Sequence, residues 1–258
     1  MELTSDRATA TIDLQGGRLA SLIVDDLELL VTEGAKPTRW GSFPMVPWAG
    51  RLDHGRLSFG GETYEFPITS PPHANHGTAM HALWEQTAPG RIEVDLASPW
   101  PFGGRVIQDF ELTDESFTVT MQIIASDQEM PAQMGWHPWY RRQLDRGEPV
   151  ELNFAAGQIY ETNEHQVPTG KLVPVPDGPW DETFVDVTQT PILTWPGALT
   201  VALESNFDHW VVFTRPDHAY AIEPQSGAPN DVNRAPQVLS PGESLHCLLY
   251  TSPSPRDS

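Results

Sequence analysis

Regular alternation of apolar and polar side chains is the feature that most limits how this chain can fold. In Phe117–Ile124, apolar residues stand at every second position, with threonine or glutamine between them. A period of two places the apolar side chains on one face of a strand. Arg105–Leu112 precedes this segment across a polar turn at 113–116, so the two predict an antiparallel hairpin. With 25 prolines and 20 glycines to make turns, the pattern indicates an all-β protein.

Shorter segments extend this prediction along the chain. Residues 57–59 and 62–66 flank Gly60-Gly61, a pair suited to a hairpin turn with positive φ. The other predicted strands are residues 10–14, Arg18–Val24, 91–97, 150–154, 199–203, 210–214 and 220–223. Residues 26–32 are ambiguous between helix and strand. About fifteen short strands without a linker or repeat favour one large antiparallel β-sandwich domain over residues 1–250, followed by a tail at 251–258.

The C-terminal residues need separate treatment because residues 247–257 resemble the translation of a sequencing-library adapter. On that interpretation, native sequence stops near residue 247 and even Cys247 is foreign. The alternative is an ordinary last strand over residues 245–251, followed by a polar tail. These residues are therefore left out of the functional reasoning.

The charge of the chain limits the classes of molecule that it is expected to bind. Its 15 Lys and Arg against 35 Asp and Glu give a formal net charge of −20. Nucleic acids and anionic lipids require a basic face, so neither is an expected partner. No apolar run is long enough to span a bilayer, and the first residues lack a signal pattern, so we expect a cytoplasmic monomer or homodimer. The single cysteine excludes an internal disulfide and a cysteine-rich zinc site.

Three short motifs carry side chains suited to proton transfer. Glu223 follows an apolar, strand-like run and precedes Pro224, which is expected to stop the strand because proline has no N–H for the ladder. His137 stands in the run Gly-Trp-His-Pro-Trp, and His76 stands in Asn-His-Gly. A partly buried carboxylate and an imidazole can exchange protons with a neutral polar substrate near neutral pH. Taken singly, each residue has an ordinary alternative as a solvent-facing glutamate or a packed histidine.

Together with the run from Pro44 to Leu52 (Pro-Met-Val-Pro-Trp-Ala-Gly-Arg-Leu), these motifs resemble the aldose 1-epimerase (galactose mutarotase) family. The resemblance implies a β-sandwich of the galactose-mutarotase type, with an open cleft on one sheet. It implies that Glu223 takes the proton from a sugar's anomeric hydroxyl while His137 protonates the ring oxygen. His76 would hydrogen-bond near that oxygen, and no metal or organic cofactor is needed. The Gly-Trp before His137 departs from the better-known members and indicates a divergent branch.

The resemblance also implies residues that bind the sugar. Arg51 matches a substrate-binding arginine, whose planar fork of donors suits a pair of hydroxyls. Asp181 matches the acid that binds hydroxyls on the far side of the ring, although a slip of one residue would exchange it with Glu182. An aromatic ring can lie under the flat C–H face of a sugar. The candidate platforms are Trp48, Trp136, Trp139 and Trp210, of which Trp136 and Trp139 are favoured because they adjoin His137.

Three other functions stay open. A hexose 6-phosphate would need clustered cations, and the one dense group is Arg141, Arg142 and Arg146, although the net charge of −20 opposes a dianion and favours a neutral sugar. A non-catalytic sugar-binding sandwich would use the tryptophans without an acid and a base. A glycoside hydrolase would pair Glu223 with Asp181 as opposed carboxylates.

A metal site is not expected. His73, His76 and His81 lie close together in the sequence. No cysteine contributes, however, and no acidic ligand stands at an obvious spacing from them.

Overall fold

The computed structural model describes residues 1–253, and it is almost entirely antiparallel β-structure, as the alternation predicts. The strands are β1 Glu2–Thr4, β2 Ala8–Asp13, β3 Arg18–Val24, β4 Leu27–Glu28, β5 Ser42–Met45, β6 Arg51–Leu52, β7 Arg56–Phe59, β8 Glu62–Glu65, β9 Ala74–Asn75, β10 Glu85–Ala88, β11 Arg91–Asp95, β12 Arg105–Leu112, β13 Phe117–Ile124, β14 Met130–Ala132, β15 Gly135–Arg141, β16 Glu151–Thr162, β17 Pro168–Pro174, β18 Asp181–Trp195, β19 Leu199–Ser205, β20 His209–Phe213, β21 Ala219–Gln225, β22 Gln237–Leu239 and β23 Ser244–Pro253.

Among the described residues, helical structure is confined to single turns. They are the 3₁₀ helices Pro37–Arg39, Asp53–Gly55 and Ala79–His81, and the α-helix α1, Asp231–Arg234. Within residues 1–253, no helix has the length and apolar character needed to cross a bilayer.

One continuous antiparallel sheet of 17 strands folds over into two layers. Pairing in the first layer runs β1-β2-β3-β5-β15-β21-β20-β18. Pairing in the second layer runs β18-β19-β23-β13-β12-β11-β10. The long strand β18 belongs to both layers, because residues 181–184 pair with β20 and residues 192–195 pair with β19. The predicted fold class, a large antiparallel β-sandwich, is confirmed.

The layers face each other across an apolar core. Alternate residues of β13 are buried, from Phe117 to Ile123, so the period-two pattern marks the core face as predicted. Trp136 of the first layer reaches Gln108 of the second, and its indole Nε1 donates a 3.0 Å hydrogen bond to the amide Oε1. Both side chains are buried, so a polar contact is satisfied inside the core.

Both predicted hairpins are confirmed. Arg105–Leu112 pairs residue for residue with Phe117–Ile124. Strands β7 and β8 pair around Gly60 and Gly61, whose φ angles are 62° and 85°. The ambiguous residues 26–32 contain only the short strand β4 and an isolated bridge at Leu30.

The last strand runs past residue 250, where the sequence predicted a tail to begin. Ser244–Pro253 pairs with β13 on one side and β19 on the other. Cys247 and Leu249 are buried in the core. Residues 254–258, the rest of the predicted tail, lie outside the described residues.

Candidate active site

A single cleft of about 300 Å³ brings together most of the residues that the sequence singled out. This volume is at the lower end of the range for small-molecule sites, about 300–1,000 Å³. The predicted residues that line it are Arg51, His76, His137, Trp139, Asp181 and Glu223.

His137 and Glu223 face each other from neighbouring strands of the first layer. Strands β15 and β21 are antiparallel, with Gly135 opposite Gln225, and this register places His137 opposite Glu223. The imidazole Nε2 lies 3.2 Å from the carboxylate Oε1. The two residues are only 5% and 3% exposed, so the contact is shielded from water.

The prediction that Pro224 stops the strand is wrong. Strand β21 continues to Gln225, and Pro224 lies in register with Trp210 of β20. The ladder between β15 and β21 makes no pair over residues 136–138 and 222–224, and Pro138 and Pro224 both fall in that gap. A residue without an N–H is tolerated there because no donor is needed. Glu223 therefore lies within the strand, two residues before its end at Gln225.

Burial shifts the pKa values of the facing pair in opposite directions. Burial raises the pKa of Glu223 well above its ordinary value, and the charge of Asp181 adds to this; a 3.0 Å hydrogen bond from Gln225 Nε2 acts the other way. Burial lowers the pKa of His137 well below its ordinary value. Both shifts favour uncharged side chains, so the pair holds one exchangeable proton over a wide range of pH.

His76 lies beside this pair in a neutral form. Its ring meets the ring of His137 edge-on, with centroids 5.3 Å apart at 89°, and also contacts Phe43. Burial, aided by the charge of Arg51, lowers the pKa of His76 to about 3. Near neutral pH, His76 can therefore donate or accept a hydrogen bond but carries no charge.

Gly77 fixes the loop that carries His76. Its φ is 74°, and a Cβ atom at this position would lie 2.0 Å from the carbonyl oxygen of Val46. We expect Gly77→Ala to destabilise the protein by at least about 2 kcal/mol, because strain of the left-handed backbone adds to the clash. Gly242→Ala is the matched control, since Gly242 has a φ of 78° and nothing within 4 Å of its Cβ position. Urea denaturation measures both, and equal losses would contradict the clash.

Arg51 and Asp181 also line the cleft and lie next to each other. Arg51 Nη2 lies 3.7 Å from Asp181 Oδ2 and donates a 3.0 Å hydrogen bond to Gln166 Oε1. The neighbouring Glu182 contacts Arg215 at 3.4 Å and does not line the cleft. Of the two adjacent acids that the sequence left open, Asp181 is the one that lines the cleft.

The tryptophans differ from the prediction. The prediction that Trp136 binds substrate directly is wrong: alternation along β15 turns it into the core, where it contacts Gln108. Trp48 and Trp210 also belong to the core. Trp139 lines the cleft, but it is 1% exposed and packs against His137 at 4.9 Å. Trp139 therefore shapes the wall of the cleft and offers no open ring face.

Several residues that line the cleft were not found by sequence reasoning. Gln225 had a signal, because it stands two residues after Glu223 and so shares its face of β21. No sequence pattern marked Lys36, Thr38 and Arg39, because they lie on or beside a single 3₁₀ turn that only the tertiary fold brings to the cleft.

The arginines proposed for a phosphate lie elsewhere. Arg141 pairs with Asp145 at 3.6 Å, Arg142 lies over the ring of Tyr220, and Arg146 donates to a backbone carbonyl. None of the three is among the residues that line the cleft.

Within the part of the chain that the structure describes, the side chains that could hold a metal ion are Asp53, His54 and His73, whose ligand atoms lie within 4.8 Å of one another. His73 Nδ1 accepts a 3.2 Å hydrogen bond from the backbone N–H of His54, and Nε2 donates a 2.9 Å bond to the His165 carbonyl. Asp53 Oδ1 lies 2.8 Å from His54 Nδ1. The group is thus satisfied by internal hydrogen bonds, and none of the three lines the cleft.

Comparison with known sequences gives a family. Residues 1–246 match the model of the family described as aldose 1-epimerase. Two uncharacterized proteins of Escherichia coli K12, YphB and YihR, are 29% identical over 104 residues and 24% identical over 173 residues. These matches cover 38% and 62% of this chain but only 36% and 56% of the relatives. The chain therefore spans less than two thirds of either relative.

Solved structures share the whole fold. A galactose mutarotase-like protein from Clostridium acetobutylicum superposes with a TM-score of 0.86 at 16% identity, covering 98% of this chain and 94% of that one. A GalM/aldose epimerase homologue from C. elegans superposes with a TM-score of 0.80 at 17% identity, covering 98% of both chains. Because the identities are below 20%, these superpositions establish the fold alone. The match of residues 1–246 to the family model establishes the family: this chain belongs to the aldose 1-epimerase family.

Proposed function

We propose that this protein interconverts the α and β anomers of a free aldose, meaning a sugar with an unsubstituted anomeric hydroxyl. The observation that carries the proposal is the contact between His137 and Glu223, 3.2 Å apart in a cleft of about 300 Å³. An acid and a base that share one proton can act as general acid and general base, and so transfer protons to and from a neutral sugar.

The reaction begins from the form of the pair in which the shared proton lies on His137, so that Glu223 is a carboxylate. Burial favours the other, uncharged form, and transfer of the proton across the 3.2 Å contact interconverts the two. Glu223 takes the proton from O1 while His137 gives a proton to the ring oxygen. The bond between C1 and the ring oxygen breaks, and C1 becomes an aldehyde. Rotation about the C1–C2 bond presents the other face of the aldehyde, and ring closure reverses both transfers. No step uses a metal or an organic cofactor.

The proton count supports this assignment. Ring opening converts a carboxylate and an imidazolium into a carboxylic acid and a neutral imidazole, and ring closure restores them. The pair therefore holds one exchangeable proton throughout and needs none from solvent. Burial, which raises the pKa of Glu223 and lowers that of His137, brings these two states closer in energy.

The other residues of the cleft have binding roles in this proposal. Arg51 and Asp181 hold hydroxyls on the far side of the ring, as donor and acceptor respectively. The neutral His76 hydrogen-bonds near the ring oxygen. Trp139 holds the His137 ring in place. A hydrolase is disfavoured because Glu223 contacts an imidazole and Asp181 contacts a guanidinium, so the two carboxylates have separate partners.

Exchange of anomers in a panel of aldoses tests the proposal. NMR exchange spectroscopy or polarimetry measures the rate at equilibrium or after dissolving one anomer. We expect catalytic amounts of protein to accelerate exchange above the buffer rate for at least one sugar. Binding of a sugar without any acceleration would move the assignment to a non-catalytic sugar-binding protein.

Removal of metal ions should leave the activity unchanged. The candidate group of Asp53, His54 and His73 lies outside the residues that line the cleft, and its atoms are engaged in hydrogen bonds. We expect the rate of anomer exchange to survive prolonged dialysis against a chelator. A loss of activity that zinc restores would contradict the proposed mechanism.

A further inference from the structure

Among the described residues, two cationic side chains have neither an ion pair nor a hydrogen bond. Among residues 1–253, every lysine and arginine side chain except Lys36 and Arg39 is paired with a carboxylate or donates a hydrogen bond. Both exceptions line the cleft. In a chain with 35 acidic residues, unpaired cations gathered at one place point to a ligand that carries negative charge.

The segment that carries these cations is firmly held. Arg18, 2% exposed, donates hydrogen bonds of 2.8 and 2.7 Å to the carbonyls of Pro37 and Trp40. The indole Nε1 of Trp139 donates a 3.0 Å bond to the Thr38 carbonyl. The backbone of residues 37–40 is therefore tied to the core, and it places the exposed side chains of Lys36 and Arg39 at the wall of the cleft.

Arg39 lies close to the residues that surround the reacting pair. Its guanidinium carbon lies 5.8 Å from the centre of the Trp139 ring, which in turn packs on His137. Burial is the main cause of the lowered pKa of His76 and of His137, and the positive charge of Arg39 lowers both pKa values further. Arg51 is already paired with Asp181, so the unbalanced charge lies on the side of Lys36 and Arg39.

We propose that the substrate is an aldose bearing an oxyanion substituent, a phosphate, sulfonate or carboxylate, and that Lys36 and Arg39 bind this group. The inference rests on the proposed function and names its substrate class. It opposes the neutral sugar expected from the overall charge, because a net charge of −20 describes the whole surface and not the field inside one cleft. It also replaces Arg141, Arg142 and Arg146 as the cations concerned, since those side chains do not line the cleft.

Matched sugars and matched variants test this subsite. The sugars are glucose and galactose, each compared with its 6-phosphate and its uronate, so that phosphate and carboxylate are separated. The variants are Lys36→Ala with Arg39→Ala, and Arg141→Ala with Arg142→Ala as the control that removes equal charge outside the cleft. The kcat/KM for anomer exchange is measured above the uncatalysed rate, and binding is measured by calorimetry with the Glu223→Gln protein.

We expect an anionic sugar to exceed its neutral parent by about 10–100-fold in kcat/KM and in affinity, the effect of one or two charge-assisted hydrogen bonds. Added salt should reduce the preference. The cleft variant should lose it and the control should keep it. Equal rates for charged and neutral sugars, or a preference that survives Lys36→Ala with Arg39→Ala, would overturn the subsite and leave the epimerase intact. A preference seen in binding without catalysis would instead keep the subsite and reject the epimerase.

Discussion

Glu223→Gln should slow anomer exchange by about 10²–10⁴-fold, the usual contribution of a general base. Glutamine keeps the shape of the side chain and can still contact His137, but it cannot take the proton from O1. The loss should therefore fall on kcat, with the affinity for sugar nearly unchanged. Glu182→Gln is the matched control, because this neighbouring acid of the first layer contacts Arg215 and does not line the cleft. Near wild-type activity in Glu223→Gln would remove Glu223 from the mechanism.

The stability of the same variant separates chemistry from folding. The pKa of Glu223 is raised in the folded protein, so the folded state holds this proton to higher pH than the unfolded chain does. Its contribution to stability is therefore present at low pH and is lost as the pH rises through the folded pKa. Glutamine does not titrate, so urea denaturation should find Glu223→Gln increasingly stable relative to wild type as the pH rises from the ordinary carboxyl pKa of 4.5 toward the raised pKa of the folded protein. A variant that is inactive and also less stable there would indicate a structural role.

His137→Asn should also lose about 10²–10⁴-fold in rate, because the ring oxygen then leaves C1 without a proton donor. The acid acts mainly in the transition state, so kcat should fall while KM changes little. His76 is less well placed for the role, since it is His137 whose Nε2 lies 3.2 Å from the Glu223 carboxylate and can share its proton. The comparison variant is His76→Asn, for which we expect a larger effect on KM than on kcat. A raised KM with an unchanged kcat in His137→Asn would make His137 a binding residue.

The local parts of the fold follow from the sequence. Arg105–Leu112 and Phe117–Ile124 pair as predicted, because alternation and a short polar turn act between residues that are neighbours in the chain. The same period of two also explains why Trp136 lies in the core and does not line the cleft. If His137 faces a cleft, the residue before it in a strand faces the opposite side, and in this sandwich that side is the core.

The contact between His137 and Glu223 was decided by the tertiary structure. Each residue lies in its own strand, and only the pairing of β15 with β21 sets them opposite each other. A resemblance between motifs supplied their identities, but no pattern within either strand specifies this partner or its register. The shifts in pKa have the same origin, because burial depends on which segments cover the pair.

The charge of the cleft shows most clearly which properties follow from the sequence and which depend on the tertiary structure. The sequence by itself determined an acidic all-β chain with a glutamate and two histidines in motifs suited to proton transfer. It did not determine where individual charges lie. Lys36 and Arg39 lie at the two ends of a single 3₁₀ turn outside the strands, and they reach the cleft because Arg18 and Trp139 hold that turn from within the fold. Packing between distant parts of the chain decides the local field, and no count of charged residues contains that information.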